Sequence, residues 1–213
     1  MTQSLTQQIE SLLAQTQCTE CGFDGCAPYA EAIAASEADI NLCRPGGQRV
    51  IDDLAKLLNK PSMAPSQPKE PDTKAKVVEA DCIGCTKCIQ ACPTGAIIGA
   101  PKMMHQIIAA DCTGCKLCLP VCPVDCIELL QTGVNRTPRQ ERERAGEVKV
   151  LVDAKKERAA NRKKYARKIE NDDAKAESVA LRPTGEDLQK QLPQDVLDKI
   201  SAARQRARQK YTR

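Results

Sequence analysis

The 213-residue sequence has no tryptophan, one phenylalanine (Phe23), three tyrosines and a single histidine, His105. Aromatics make up 2% of the chain, so a large aromatic core is excluded. No apolar run approaches the roughly 18 residues that a transmembrane helix needs. The opening stretch MTQSLTQQIESLLAQTQ has neither the basic flank nor the continuous apolar segment of a secretion signal. These absences predict a cytoplasmic protein. Also missing are a glycine-rich nucleotide loop, a Ser/His/Asp set, a flavin fingerprint and a C-x-x-C-H haem attachment. No site that transforms a substrate is therefore visible.

What the sequence does have is cysteine, 13 of them. An odd number cannot be used up by disulfides, and in a reducing compartment clustered thiols hold metal more often than they pair. A chain this poor in core residues also needs staples of some kind. Charge is split along the chain. Residues 1–133 carry 10 Lys+Arg against 15 Asp+Glu, and residues 134–213 carry 22 against 13, a net of −5 followed by +9. An acidic, cysteine-rich head thus precedes a basic tail.

The head repeats itself. DCIGCTKCIQACPTGAI at 81–97 returns as DCTGCKLCLPVCPVDCI at 111–127, with eight of 17 positions identical. Each copy reads C-x2-C-x2-C-x3-C-P: Cys82, Cys85, Cys88 and Cys92 before Pro93, then Cys112, Cys115, Cys118 and Cys122 before Pro123. Two-residue gaps let a turning backbone point three sulfurs inward while its amides stay free to bond cluster sulfur. In two-cluster ferredoxins the fourth cysteine ligates the other cluster. The spacing therefore predicts one [4Fe–4S] cluster on Cys82, Cys85, Cys88 and Cys122, and another on Cys92, Cys112, Cys115 and Cys118. Structural zinc sites use two pairs of ligands rather than four-cysteine combs, which argues against zinc. The repeat sets the thirteenth cysteine, Cys126, opposite Ala96, a small apolar position, and predicts packing near a cluster.

A second group stands earlier: Cys18, Cys21, Cys26 and Cys43, spaced C-x2-C-x4-C-x16-C. On spacing alone it could hold zinc, a [2Fe–2S] or a [4Fe–4S] cluster. Helical periodicity surrounds it. Leu5, Ile9, Leu12 and Leu13 predict a helix over 4–15, PYAEAIAASEA predicts one with Pro28 at its first position, and QRVIDDLAKLLN predicts a third. Pro61, Pro65, Pro68 and Pro71 mark residues 60–76 as a linker. Short β-prone pieces (VVEA, AIIG, QIIAA, CIELL) predict two-stranded hairpins around the combs.

The stretch CTECGFDGCAPYAEAI…LCRPGG, the proline-rich linker and DCIGCTKCIQACPTGAIIGAPKMMHQIIAADCTGCKLC together resemble the B subunit of the Rnf-type electron transport complex, over about residues 5–131. The resemblance implies an additional [4Fe–4S] cluster on Cys18, Cys21, Cys26 and Cys43 ahead of a two-cluster ferredoxin domain, three clusters in all. It implies low potentials and redox protein partners of the Rnf-type complex. Members of that family open with a hydrophobic membrane-anchoring helix where this chain has polar residues, and the basic tail from 134 lies outside the resemblance.

The predicted architecture is α+β: a helical four-cysteine module (1–59), the linker (60–76), a bacterial two-[4Fe–4S] ferredoxin-type domain (77–133) and a polar tail (134–213), helical or disordered. Within the tail, residues 154–178 read as an exposed helix and PQDVLDKISAARQRARQKY as a last helix opening at Pro193. The run KKERAANRKKYARK at 155–168 has eight basic residues and one acidic. It reads as a solvated face, as a contact with an anionic membrane surface on the cytoplasmic side, or as a contact with an acidic protein. His105 reads as a surface residue between the combs, and Met103 and Met104 as packing. Gly22, Gly25, Gly84 and Gly114 read as close backbone approach to clusters. The function predicted is single-electron transfer between redox partners, the alternative a nucleic-acid-associated iron–sulfur protein acting through its tail.

Overall fold

The computed structural model describes residues 3–178 and Gln194, so the helix expected from Pro193 lies outside the described residues apart from Gln194. The chain forms two units, residues 1–159 and 160–213. In the first unit α1 (Leu5–Leu12) opens with a reciprocal cap: Ser4 Oγ accepts from the Gln7 amide while Gln7 Oε1 accepts from the Ser4 amide. α2 (Cys26–Ala34) starts two residues before the predicted Pro28, which its third position tolerates because the first-turn amides have no intrahelical acceptor. α3 (Gly47–Leu58) follows the predicted periodicity and stops at Asn59, whose φ of 51° is left-handed. Ile9, Leu13, Tyr29, Ile33, Val50, Ile51 and Leu54 close the core of these three helices.

Residues 60–72 have no regular structure, yet they are tied down. Asn41 Nδ2 donates to the Ala64 carbonyl at 3.0 Å, Arg44 Nε to the Pro68 carbonyl at 3.1 Å, and Glu70 pairs with Arg44 at 2.6 Å and with Lys116. β1 (Thr73–Val77) then starts inside the stretch expected to be linker. It pairs antiparallel with β4 (Ile127–Gln131), register Ala75 to Leu129 and Val77 to Ile127. β2 (Ile97–Ile98) pairs with β3 (Gln106–Ile107). Only the β2–β3 pair is local. The β1–β4 pair joins the two ends of the comb region, which no hairpin reading of short apolar pieces anticipates.

Between the sheets run a 3-10 turn (Glu79–Asp81) and α4 (Lys87–Ala91). The core here is Ala75, Val77, Ala96, Ile97 and Ile127 together with Cys88, Cys92, Cys112, Cys118 and Cys126, so half of it is thiol.

α5 (Pro138–Ser178) begins 16 residues before the exposed helix expected at 154. The early part is packed, with Ala145, Val148 and Val152 buried. Charged side chains hold it to the helical module: Arg142 donates twice to Asp53 at 2.7 and 3.0 Å, Arg49 Nε reaches Glu141 at 3.0 Å, and Lys149 reaches Glu10 at 3.1 Å. In the second unit the helix continues, with every side chain from 160 to 170 exposed.

Candidate iron–sulfur centres

The two comb loops have the same backbone. Gly84 and Gly114 have φ of +68° and +70°, and Thr86 and Lys116, two residues on, both have φ of 62°. Left-handed residues spaced this way turn successive amides toward one point, the concavity that binds anions and iron–sulfur groups. The glycines also admit a neighbouring chain. A Cβ on Gly84 would lie 2.6 Å from the Met103 amide nitrogen, and one on Gly114 would lie 2.4 Å from the Thr73 carbonyl oxygen. The neighbour at each of these two glycines is another stretch of this chain, where the expectation was approach to a cluster.

One hollow is walled by Cys92, Cys112, Cys115 and Cys118, with Ala75 and Ile97 beside them. It draws its fourth sulfur from the first comb and three from the second. Thr113 Oγ1, buried and with no hydrogen-bond partner among the described residues, stands in the same wall. The Ala75 amide donates to Cys112 Sγ at 3.4 Å. Burial pushes the Cys118 thiol up to about 12, and the charge of Cys115, Cys112 and Cys92 adds to it. Burial raises the Cys115 thiol too, with Cys92 and Cys112 adding to it. Four thiols share one small volume, and a bound cation centre offsets the cost of holding them there as thiolates.

Of the other comb positions, Cys82, Cys85 and Cys88 lie within electrostatic reach of one another, and Cys122 meets Cys82 through Cys126. Burial raises the Cys88 thiol, and Cys85 and Cys82 add to the rise against the opposing Ile89 amide. Cys122 comes from the second comb. Burial opposes its thiolate, but the Val124 and Cys126 amides outweigh burial and hold its pKa below the ordinary value. Cys126 Sγ lies 3.5 Å from Cys122 Sγ and is buried, and it is pushed up to about 12 by burial and by Cys122 and Cys82. The proton therefore stays on Cys126, which can donate it to Cys122 sulfur. Cys126 sits in the core as Ala96 does across the repeat, so the expected packing holds.

His105 is not a surface residue. It is 2% exposed, and it faces the first comb. The Thr86 amide donates to Nε2 at 3.3 Å, which leaves the ring proton on Nδ1, 3.2 Å from Cys88 Sγ. The His105 amide donates to Cys82 Sγ at 3.5 Å. Sequence reading missed this because a lone histidine between two strands carries no signal of burial. Only the fold of residues 99–105 against Gly84 brings it there. Met103 and Met104, expected to pack, are 63% and 45% exposed.

In the helical module Cys26 and Cys43 are buried and Cys18 and Cys21 partly so. Burial pushes Cys26 up to about 12, the Gln17 hydrogen bond opposes it, and Cys43, Cys18 and Cys21 add to it. Gln17 Oε1 accepts from the Cys26 amide at 3.0 Å. Tyr29 fixes the Cys43 loop, donating to the Asp39 carbonyl at 2.6 Å and accepting from the Leu42 amide at 3.1 Å. Gln15, Gln17 and Thr19 have φ of 60°, 54° and 62°, alternation of the same kind as in the combs. Among the described residues, no three His, Cys, Asp or Glu side chains are set to grip a single metal ion. Sulfurs about a single zinc stand only about 3.8 Å apart, given Zn–S bonds of about 2.3 Å. The donor set fits iron–sulfur clusters: thiols in groups, half of them buried and half partly so, with amides donating to Cys112 and Cys82 sulfur.

Two families match the chain, one described as a 4Fe–4S dicluster domain over residues 75–129 and one as a putative Fe–S cluster over residues 13–45. Among curated proteins it is similar to three that are named as the B subunit of an ion-translocating oxidoreductase complex. The protein of Pseudomonas aeruginosa is 54% identical over 129 residues, 60% of this chain and 68% of the relative. That of Stutzerimonas stutzeri is 53% identical over 133 residues, 62% of this chain and 69% of the relative. That of Alkalilimnicola ehrlichii is 53% identical over 106 residues, 47% and 56%. Cysteine combs folded for [4Fe–4S] clusters and relatives of this identity agree with one another, and the chain belongs to the iron–sulfur electron-transfer family formed by the B subunits of ion-translocating, Rnf-type oxidoreductase complexes.

Proposed function

We propose that the chain holds three [4Fe–4S] clusters and passes single electrons through them between protein partners of an Rnf-type complex. The ligand sets are Cys18, Cys21, Cys26 and Cys43; Cys82, Cys85, Cys88 and Cys122; and Cys92, Cys112, Cys115 and Cys118. The observation that carries the reading is the hollow walled by Cys92 and the first three cysteines of the second comb, the crossed set that two-cluster ferredoxins use. Each cluster supplies one-electron exchange when bound. This chain's residues hold it by thiolate, aim amides at its sulfur and keep water out.

The division into a one-cluster module (1–59), linker, two-cluster domain (to 133) and basic tail (134–213) belongs to the same reading, with the linker expected over 60–76 ending at 72, where β1 (Thr73–Val77) pairs with β4. So does a cytoplasmic position, peripheral to the membrane, with the run 155–168, whose cations from Lys156 onward are exposed, meeting anionic lipid or an acidic partner. No helix among the described residues is long and apolar enough to cross a membrane. Nothing in the fold or among the relatives favours a nucleic-acid role.

The test is iron, zinc and acid-labile sulfide per chain on anaerobically purified protein, with EPR after dithionite reduction. Three clusters give about 12 iron and 12 sulfide. About 8 iron with one zinc would make residues 18–43 a structural finger and overturn the three-cluster reading. Cys92→Ser tests the crossing. It should damage the cluster held mainly by the second comb, and loss of the first-comb signal alone would sink the crossed assignment.

A further inference from the structure

The two comb clusters have unlike surroundings, and the difference comes from α5. Lys155 Nζ donates to the carbonyls of Ile89 and Gln90, both at 3.1 Å, and to that of Cys92. It thereby covers the carboxyl end of α4, where the orphan carbonyls and the negative end of the peptide dipoles gather. Eleven residues earlier, Arg144 Nη2 donates to the Ala110 carbonyl at 2.5 Å and to the Cys112 carbonyl at 3.4 Å. Lys74 of β1 donates to the same Cys112 carbonyl. A Cβ on Gly95 would lie 3.4 Å from Arg158 Nη2, so a further cation borders the loop after Cys92. The backbone of Cys92 and Cys112, both in one ligand set, thus meets Lys155, Arg144 and Lys74. The contacts to Cys82, Cys88 and Cys122 are an imidazole, a thiol and amides.

We infer that α5 is a potential-setting element for one cluster. Through Arg144 and Lys155 it holds the cluster of Cys92, Cys112, Cys115 and Cys118 at a higher potential than its twin. The reason is elementary. Reduction adds a negative charge to an already anionic group, and fixed cations a few ångströms away stabilise the product more than the reactant. A split of this sense gives the pair a direction, with electrons resting on the α5 side and arriving from the His105 side. Arg144 and Lys155 act through the ligand backbone and are positioning residues. Both lie beyond residue 129, where the dicluster match ends, so the device lies outside that domain. The inference rests on the crossed ligand sets proposed above.

The experiment is an EPR-monitored redox titration of the full chain, with iron and sulfide counted for every sample. The Arg144→Gln/Lys155→Gln double variant should lower one comb potential and leave the other in place, the shifted one being that of the cluster disturbed by Cys92→Ser. Lys155→Arg should keep the wild-type value. Lys149→Gln, which removes a cation of the same helix that pairs with Glu10 instead, should move neither potential. Fully loaded double variant with both potentials unchanged, or with both lowered alike, overturns the inference. So does a variant that sheds iron without any shift, which would make α5 a structural clamp only. Failure of the ligand reading looks different: wild-type protein short of two clusters in residues 77–133 shows it in the iron count, before any titration, and removes this inference with it.

Discussion

At the scale of single residues, the combs were legible because their chemistry is written as spacing. The role of His105 was not, because it depends on where residues 99–105 fold. Its Nδ1–H points at Cys88 sulfur, and a donor to a cluster thiolate stabilises the reduced, more negative state. His105→Leu should therefore lower the potential of the cluster proposed for Cys82, Cys85, Cys88 and Cys122, and His105→Gln, which keeps an N–H, should lower it less. An EPR redox titration decides. Equal potentials in wild type and His105→Leu would reduce the contact to packing. Cys126 tests the opposite kind of claim. Burial, Cys122 and Cys82 all raise its thiol pKa, and it lies in the core beside Cys122, so Cys126→Ala should retain all iron at a cost of about 1 kcal/mol in stability. Loss of four irons per chain would make it a ligand.

At the scale of elements, helices α1 and α3 announced themselves through 3.6-residue periodicity, since both bury one clear face in the same core. Strands β1 and β4 were harder. Each is five residues long, and their partner lies at the far end of the domain, so no local pattern links them. The start of α5, residues 138–153, gives no helix signal of its own, because its three buried small or branched residues, Ala145, Val148 and Val152, make only a thin stripe. Ion pairs supply the rest of its attachment. Asp53 is the centre of that attachment. Burial raises its pKa, but the hydrogen bonds and charge of Arg142 and Arg49 outweigh burial and hold it below the usual carboxylate value. A depressed pKa means the contribution is complete above the unfolded value of about 3.9 and is lost only as pH falls through the lower folded value. Hydrogen exchange over residues 141–152 should thus be the same, after correction for the chemical exchange rate, at pH 7 and pH 5. Asp53→Asn should speed it at pH 7 by an amount equivalent to about 1–2 kcal/mol, since Arg142 is half exposed and part of the pair's strength is screened. Protection that already falls between pH 7 and pH 5 would contradict the sign.

At the scale of the whole molecule, the two cysteine-bearing regions differ in what holds them. The helical module has Ile9, Leu13, Tyr29, Ile33, Val50, Ile51 and Leu54 fully or almost fully buried, a core that exists without metal. The comb region has no comparable set. Five of its ten buried core residues are cysteines, and its sheets are two strands each. A two-stranded pair is at best marginal in water, so in residues 73–131 the free energy of cluster binding is largely the free energy of folding. Stripping iron with a chelator and an oxidant should therefore unfold the molecule unevenly. Amide protection should collapse across residues 73–131 and across the part of α5 that caps Cys92 and Cys112, while Ile9, Ile33 and Leu54 keep most of theirs. Tyr29 provides a second reading of the same event, because its hydroxyl bridges Asp39 and Leu42 beside Cys43. If the module keeps its core while Cys43 loses its metal, that bridge should survive and the tyrosine should remain shielded from solvent. Simultaneous loss of protection in both regions would mean that the metal centre proposed for the helical module, and not its apolar core, is what keeps those three helices together.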